Sequence, residues 1–158
     1  MNKHDVQVIT LPPMRLASVY GFGEQPELQA WDKLITYAQP KGFLDDPASH
    51  RIFGFNNPDP SHGSPNYGYE LWIQVGVDAE PENEVRIEDF GGGLYAVMHC
   101  DVKEGNFDLI GETWKALVAW REDSRYEHGK HQWLEEAISF DRMEHGEITL
   151  DLLLPLSE

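Results

Sequence analysis

Two adjacent carboxylates in an otherwise apolar segment, residues 133–140, are the side chains with the clearest chemical potential. Strand alternation places Glu135 on the same face as Trp133 and Ala137, and Glu136 on the opposite face. A carboxylate beside a large indole is costly to bury unless it is paired, and burial raises its pKa. We therefore expect Glu135 to need a positive partner, which a cationic ligand could supply. The alternative is a glutamate at the rim of the sheet, fully in water.

Trp72 is the second unusual residue, because its strand has an otherwise polar face on which Glu70 and Gln74 are its neighbours. We expect an indole in that position to be shielded from water by other side chains or by a ligand. Aromatic rings present faces that bind flat or cationic molecules. We predict a ligand cleft between two halves of the chain, in which Glu135 and Ala137 are joined by aromatic residues, namely Trp72, Trp133, Phe55, Tyr95, Tyr69 and Tyr20. The alternative is that these rings only fill the core.

Metal and nucleophile chemistry has little support in the sequence. His128 and His131 have H-x-x-H spacing, but neither a cysteine pair nor a carboxylate motif completes a zinc site. Cys100 follows His99 directly, and consecutive strand residues point to opposite faces, so a Cys–His couple is not expected. The glycines 91–93 precede a strand rather than a helix, which indicates a turn and not a phosphate-binding loop. We predict no metal and no cofactor.

The helices and strands that position these residues occur in the same order in each half of the chain. The first set comprises strands at 6–9 and 16–20, a helix at 26–38 whose apolar face includes Leu28, and strands at 51–55 and 69–77 separated by a polar loop. The second set comprises strands at 85–87 and 94–100, a helix at 107–120, and strands at 133–140 and 148–154. Trp31 and Trp114 occupy matching positions in the two helices.

This repetition predicts an α+β fold. We expect a single domain of two pseudo-symmetric ββαββ half-units, roughly residues 1–80 and 81–158, that form an antiparallel sheet with the helices packed on it and a central ligand cleft.

Composition limits the possible partners. The chain has 158 residues, with 28 Asp and Glu against 12 Lys and Arg, and a formal net charge of −16. Such a charge repels phosphate backbones and anionic membranes, so we expect neither direct nucleic-acid binding nor membrane binding. A single cysteine excludes an internal disulfide. The polar residues 1–5 do not resemble a signal peptide and no apolar span follows, so a cytoplasmic protein is expected.

With these patterns in place, the chain resembles the GyrI-like small-molecule-binding domain, which also occurs as the effector-binding domain of AraC-type and MerR-type multidrug regulators. The resemblance extends over nearly the whole length. Residues 8–17 look like the first strand pair of that family, 87–97 like its "I-P-x-G-x-Y-A-V" phrase, 110–124 like its second helix and 148–156 like its closing strand. Asp89 and Phe90, with extra glycines, stand where the family prefers proline.

The family also has a phrase in which a Leu or aromatic residue precedes a Glu at the floor of the cleft, usually with a Tyr two residues later. Leu134 and Glu135 fit this phrase, with Ala137 in place of the Tyr, while Glu136 is the alternative register. We prefer Glu135, because this register keeps Leu134 before the acid and Trp133 on its face. No DNA-binding segment precedes Val6, so the resemblance implies a stand-alone ligand domain.

The resemblance implies binding of aromatic, often cationic, amphipathic small molecules, in a role of sequestration or sensing. One alternative is an inhibitor of DNA gyrase that uses the acidic segment 78–88 as its contact surface. Another is a hydrolase of electrophilic small molecules in which the cleft glutamate acts as general acid or base. Because Ala137 has no hydroxyl where the family usually has a Tyr, a hydrolase mechanism of such relatives cannot be carried over directly to this chain.

Overall fold

The computed structural model describes residues 5–57, 59, 61 and 63–158. In that part of the chain there are two α-helices, α1 (Pro26–Ala38) and α2 (Asp108–Glu122). The strands are β1 (Gln7–Leu11), β2 (Met14–Gly23), β3 (Ile52–Asn56), β4 (Tyr67–Gln74), β5 (Arg86–Phe90), β6 (Gly93–Val102), β7 (Glu127–His128), β8 (Leu134–Ser139) and β9 (Ile148–Ser157). Short 3-10 turns span Gln39–Lys41, Phe43–Asp45 and Met143–His145.

The predicted order of helices and strands is confirmed, and so is the α+β class. The two-residue strand β7 was not predicted. Residues 1–4 of the polar amino-terminal segment, and Pro58, Pro60 and His62 of the polar loop, lie outside the described residues.

Contacts divide the chain into two compact units. Unit I is Pro13–Gly91, and unit II is Met1–Pro12 together with Gly92–Glu158. The predicted division near residue 80 therefore differs from the observed one, because β1 pairs with β6 and β5 pairs with β2. Proline lacks the backbone N–H that a strand ladder needs, so the chain turns at Pro12 and Pro13. The chain turns a second time between β5 and β6, at Gly92, whose φ of +78° favours glycine.

Unit I is a four-stranded antiparallel sheet in the order β3-β4-β2-β5, with α1 packed on one face. Helix α1 begins with a proline in its first turn and ends before a 3-10 turn capped by Gly42. Its buried residues are Pro26, Ala30, Trp31, Leu34, Tyr37 and Ala38. The expectation for Leu28 was wrong, since its side chain is 63% exposed and lies outside the face that packs on the sheet.

Unit II has the antiparallel order β1-β6-β9-β8, with β7 beside β9. Alternate residues of β6 and β9 form a buried core with Leu117 of α2, namely Ala96, Met98, Cys100, Val102, Leu150, Leu152, Leu154 and Leu156. This face of the sheet is therefore the one that α2 covers. The other face carries the intervening residues of the same strands.

Neither helix in the described residues is long and apolar enough to cross a lipid bilayer.

Candidate ligand-binding site

A buried carboxylate lies near the middle of the unit I sheet. Glu70 of β4 is only 4% exposed. Its Oε2 accepts hydrogen bonds from the Ser18 hydroxyl and the Trp72 indole nitrogen, each at 2.7 Å, and its Oε1 accepts one from the Asn57 amide at 3.2 Å. A guanidinium nitrogen of Arg86 lies 3.7 Å from Oε2. Donors of the protein itself therefore compensate the negative charge of Glu70.

The cover that Trp72 requires is aromatic. The Phe55 ring meets the Trp72 ring edge-on at 4.8 Å between centroids, and the Phe90 ring lies tilted at 5.4 Å. Tyr20 is the cross-strand partner of Glu70, and its hydroxyl donates to the Asn57 carbonyl at 2.7 Å. The structure thus brings together three of the predicted ring residues, Trp72, Phe55 and Tyr20, around Glu70.

Tyr69 lies on the opposite face of β4, which is the face that α1 covers. It pairs across the strands with Gly21, whose missing side chain leaves room for Pro26 and Gln29 at the start of α1. The Tyr69 hydroxyl lies directly against Gly54. Tyr69 is therefore separated from Trp72 and Phe55 by the sheet itself.

A second acid and indole cluster lies in unit II, beside α2. The Trp114 indole nitrogen donates to Oε2 of Glu135 at 3.3 Å. The Trp133 ring lies 5.3 Å from the Trp114 ring at 45°, and the His128 ring lies 5.6 Å from the Trp133 ring at 56°. Trp133 is 36% exposed, whereas Glu135 is half-buried. The structure therefore places Glu135 and Trp133 in one cluster and adds Trp114 to it.

The two candidate glutamates of β8 point to opposite faces of the unit II sheet. Glu135 and Ala137 pair with Leu152 and Leu150, which belong to the core under α2. Glu136 pairs with Asp151 on the other face and is only 8% exposed.

Tyr95 shares the face away from α2 and is fully buried. Its hydroxyl donates to the Gln132 carbonyl, its ring meets His131 edge-on at 4.8 Å, and burial raises the pKa of the hydroxyl well above its usual range. Tyr95 is therefore not part of the Glu135 cluster.

Sequence reasoning missed several members of these clusters. Ser18 and Asn57 were not singled out, Phe90 was noted only as a departure from the family phrase, and Glu70 was noted only as a neighbour of Trp72. The alternation of β2 and β4 contains a signal for Ser18 and Glu70, because both are polar residues on the face that Trp72 occupies. Trp114 was used only to align the two helices, and no local pattern relates it to Glu135.

The histidines and the cysteine have structural partners. His128 Nδ1 accepts a hydrogen bond from Arg121, since a guanidinium only donates, and His131 Nε2 contacts the Leu94 carbonyl at 2.8 Å. Burial raises the pKa of the Cys100 thiol. Across the described residues, no three His, Cys, Asp or Glu side chains are grouped so as to hold a metal ion.

The fold is similar to several solved structures. The C-terminal domain of EcmrR has a TM-score of 0.69 at 15% identity, and the match covers 98% of each chain. EcmrR in its complex with DNA has a TM-score of 0.70 at 15% identity; the match covers 98% of this chain, which spans only 57% of the EcmrR chain.

Two further structures share the fold. An integron cassette protein from the mobile metagenome of Vibrio cholerae has a TM-score of 0.59 at 11% identity, with 96% of this chain and 95% of that chain covered. SAV2435 bound to tetraphenylphosphonium has a TM-score of 0.54 at 10% identity, with 97% and 94% covered. A comparison with curated protein sequences finds no match.

These similarities show the fold, and the family model shows the class of protein, which is a GyrI-like effector-binding domain. Residues 7–156 match the family model described as Cass2, integron-associated effector binding protein. The chain belongs to this family. The family is one of effector-binding proteins, which supports small-molecule binding in general for this chain.

Proposed function

We propose that the protein binds aromatic, cationic amphipathic molecules and acts in their sequestration or sensing. The observation that carries the proposal is the Glu135 cluster. A carboxylate accepts a hydrogen bond from one indole, Trp114, and a second indole, Trp133, lies 5.3 Å from the first and is partly exposed. Two indole faces and a nearby negative charge are the groups that attract a flat organic cation.

The two acid and indole clusters differ in how they suit this role. Glu70 receives three hydrogen bonds and lies near Arg86, and Trp72 beside it is 8% exposed and covered by two phenyl rings. A ligand there would have to displace contacts that stabilise the fold. The Glu135 cluster instead includes Trp133, which is 36% exposed. We therefore propose that Glu135, rather than Glu70, is the carboxylate that pairs with the positive charge of the ligand.

The class of ligand has support from one structural neighbour. SAV2435, which shares the fold at 10% identity, was solved with tetraphenylphosphonium, an aromatic cation. Contacts to aromatic faces are not strongly directional, so a site of this kind tolerates ligands of several shapes.

Fluorescence anisotropy with rhodamine 6G, a flat aromatic cation, tests the proposal. We expect saturable binding that weakens about tenfold in Glu135→Gln, because a partly desolvated charge pair is lost. In Trp133→Ala we expect a loss of about fivefold, the size of one cation–π contact.

Glu136→Gln is the matched control, because it makes the same chemical change on the same strand but on the opposite face. It is expected to leave the affinity unchanged. Wild-type affinity in both Glu135→Gln and Trp133→Ala, or a larger loss in Glu136→Gln, would contradict the assignment of Glu135.

The gyrase alternative stays a prediction. Within the acidic segment, Glu82 contacts Lys41 at 2.9 Å and Glu84 contacts Lys33 at 3.5 Å, so part of its charge is already matched by lysines of unit I. A supercoiling assay with purified gyrase separates the alternatives, because a protein that binds only small ligands leaves supercoiling unaffected.

A further inference from the structure

His128 of β7 is a titratable neighbour of the Glu135 cluster. The centroid of its ring lies 5.6 Å from that of Trp133, and its Nδ1 lies 2.8 Å from a guanidinium nitrogen of Arg121. The imidazole is exposed, and Trp133 is the partly exposed indole to which the proposed function assigns the ligand. His128 therefore adjoins both a fixed positive charge and the proposed ligand surface.

The backbone around His128 is anchored to β9. His128 is the cross-strand partner of Leu156, and the next amide, that of Gly129, donates to the Pro155 carbonyl at 3.0 Å. A side chain at Gly129 would overlap backbone atoms of Leu156, so the two segments approach closely here. The imidazole can therefore exchange one contact for another by rotation of its side chain while the strand stays paired.

The contact between His128 and Arg121 requires a neutral imidazole. A guanidinium has only donors, so Nδ1 of His128 acts as the acceptor and carries no proton. A proton added to Nδ1 removes this hydrogen bond and places two positive charges side by side. Protonation therefore drives the His128 ring away from Arg121.

Trp133 offers the protonated ring another contact. A cation within about 6 Å of an indole centroid is attracted to the ring, and His128 already lies at 5.6 Å. Glu135, which accepts a hydrogen bond from Trp114, supplies a negative charge in the same cluster. A protonated His128 therefore uses the groups that attract an organic cation, and its own charge repels such a ligand.

Several other charged groups lie on the elements next to His128. They are Arg121 and Glu122 at the end of α2, Glu127, Lys130 and His131 in the segment of His128 itself, Glu135 on β8 and Glu158 after β9. The carboxylates attract an imidazolium, whereas Arg121 and Lys130 repel it.

His131 differs from His128 in its response to protonation. Its Nε2 lies 2.8 Å from the Leu94 carbonyl, which only accepts, so this nitrogen carries a proton in the neutral ring as well. A second proton on Nδ1 of His131 preserves that contact. The hydrogen bond that protonation removes is therefore the one between Arg121 and His128.

We propose that His128 makes ligand binding at the Glu135 cluster dependent on pH. The neutral ring is held by Arg121 and leaves Trp133 accessible to a cationic ligand, whereas the protonated ring contacts Trp133 and weakens ligand binding. This inference rests on the proposed function of the cluster. Because the two binding events are linked, the ligand in turn favours release of the proton from His128.

Fluorescence anisotropy with rhodamine 6G, at about pH 8 and about pH 6, tests this dependence on either side of the usual titration of histidine. We expect the affinity of the wild-type protein to fall about threefold at the lower pH, the size of one exposed cation–π contact. The fall should be absent in His128→Asn. His145→Asn is the matched control, because it makes the same change at a histidine whose side chain is 59% exposed, and it should retain the fall.

Two further variants test the role of charge rather than of shape. In Arg121→Gln the protonated ring no longer meets a fixed positive charge, so the fall in affinity should begin at a higher pH than in the wild-type protein. His128→Lys places a permanent positive charge at this position and should bind rhodamine 6G weakly at both pH values.

Tryptophan fluorescence provides a measurement without ligand. An imidazolium quenches a neighbouring indole more strongly than a neutral imidazole does. Acidification from about pH 8 to about pH 6 should therefore quench the wild-type protein more than His128→Asn or Trp133→Phe. Equal quenching in all three proteins would contradict the contact between protonated His128 and Trp133.

The outcomes separate this inference from the proposed function. An affinity independent of pH in the wild-type protein, or an equal fall in His128→Asn, would overturn the role of His128, while the effect of Glu135→Gln at about pH 8 would still support the ligand site. Absence of saturable rhodamine 6G binding at about pH 8 would contradict the proposed function itself and this inference with it.

Discussion

At the scale of single residues, Glu70 has donors on both carboxylate oxygens, from Ser18, Trp72 and Asn57. Its removal would leave the hydroxyl of Ser18 and the indole N–H of Trp72 buried without an acceptor. The Arg86 contact is different, because the Arg86 side chain is 64% exposed and solvent screens the charge. The hydrogen bonds, rather than the ion pair, therefore make Glu70 important for stability.

We predict that Glu70→Ala lowers the free energy of unfolding by about 3 kcal/mol, since each buried polar group left without a partner costs about 1–3 kcal/mol. Arg86→Ala is the control and is expected to cost less than about 1 kcal/mol. Urea denaturation measures both. Equal losses in the two variants would show that the hydrogen bonds to Glu70 contribute little.

His99 links stability to pH. Burial acts to lower the pKa of His99, but the hydrogen bond to Asp151 and the charges of Asp101 and Asp151 outweigh it, so the pKa lies above its ordinary value. Glu136, the cross-strand neighbour of Asp151, adds a further acid to this face. A histidine whose pKa is raised by folding stabilises the protein when it is protonated.

This stabilisation is complete below the unfolded pKa of about 6.5 and is lost as pH rises through the higher folded pKa. We predict that the free energy of unfolding falls between about pH 6 and pH 8 in the wild-type protein and that His99→Asn flattens this fall. His145→Asn is the control, because His145 is 59% exposed. Urea titrations at a series of pH values measure the slope, and an unchanged slope in His99→Asn would refute the prediction.

At the scale of elements, two glycines have opposite roles in the packing of the helices. Gly21 of β2 lies under α1, and a side chain there would overlap the Pro26 carbonyl, which belongs to the backbone and cannot move aside cheaply. Gly111 lies within α2, is exposed, and has open space around the position of a side chain. The close approach of α1 to the sheet therefore depends on glycine, whereas α2 does not need one at residue 111.

We predict that Gly21→Ala lowers the free energy of unfolding by about 1–3 kcal/mol through overpacking. Gly111→Ala should instead raise it by about 0.5–1 kcal/mol, because alanine has the higher helix propensity. Thermal and urea unfolding of the two variants distinguish these effects. A destabilised Gly111→Ala would mean that the exposed face of α2 is constrained in some other way.

At the scale of the whole molecule, the net charge of −16 opposes compaction, because like charges repel over distances of about 10 Å at moderate salt. The lysines that contact the acidic segment offset only part of this charge.

We predict that the urea midpoint rises when NaCl is increased from about 20 mM to about 500 mM at pH 7, since salt screens the repulsion. The same titration near the sequence pI of about 4.6 serves as the control and should show little change, because the net charge vanishes there. A midpoint that is independent of salt at pH 7 would show that the repulsion is already balanced locally.

The sequence by itself determined the class of fold, the order of the elements and several of their bounds. Helix α1 occupies the predicted residues 26–38, because the proline at its start and the proline and glycine after its end are local signals. Alternation also placed Glu135 and Glu136 correctly on opposite faces of β8. These properties depend on residues that are near one another in the chain.

Only the tertiary structure decided which strands pair and which side chains meet. The pairing of β1 with β6 and of β5 with β2 depends on partners about 80 residues away, and two of the three donors to Glu70, Ser18 and Asn57, come from a strand and a loop that no short sequence pattern connects to it. Trp114 reaches Glu135 from a helix, and Tyr37 faces a segment beyond β4. Periodicity gives the face on which a side chain lies, whereas its neighbours depend on long-range packing.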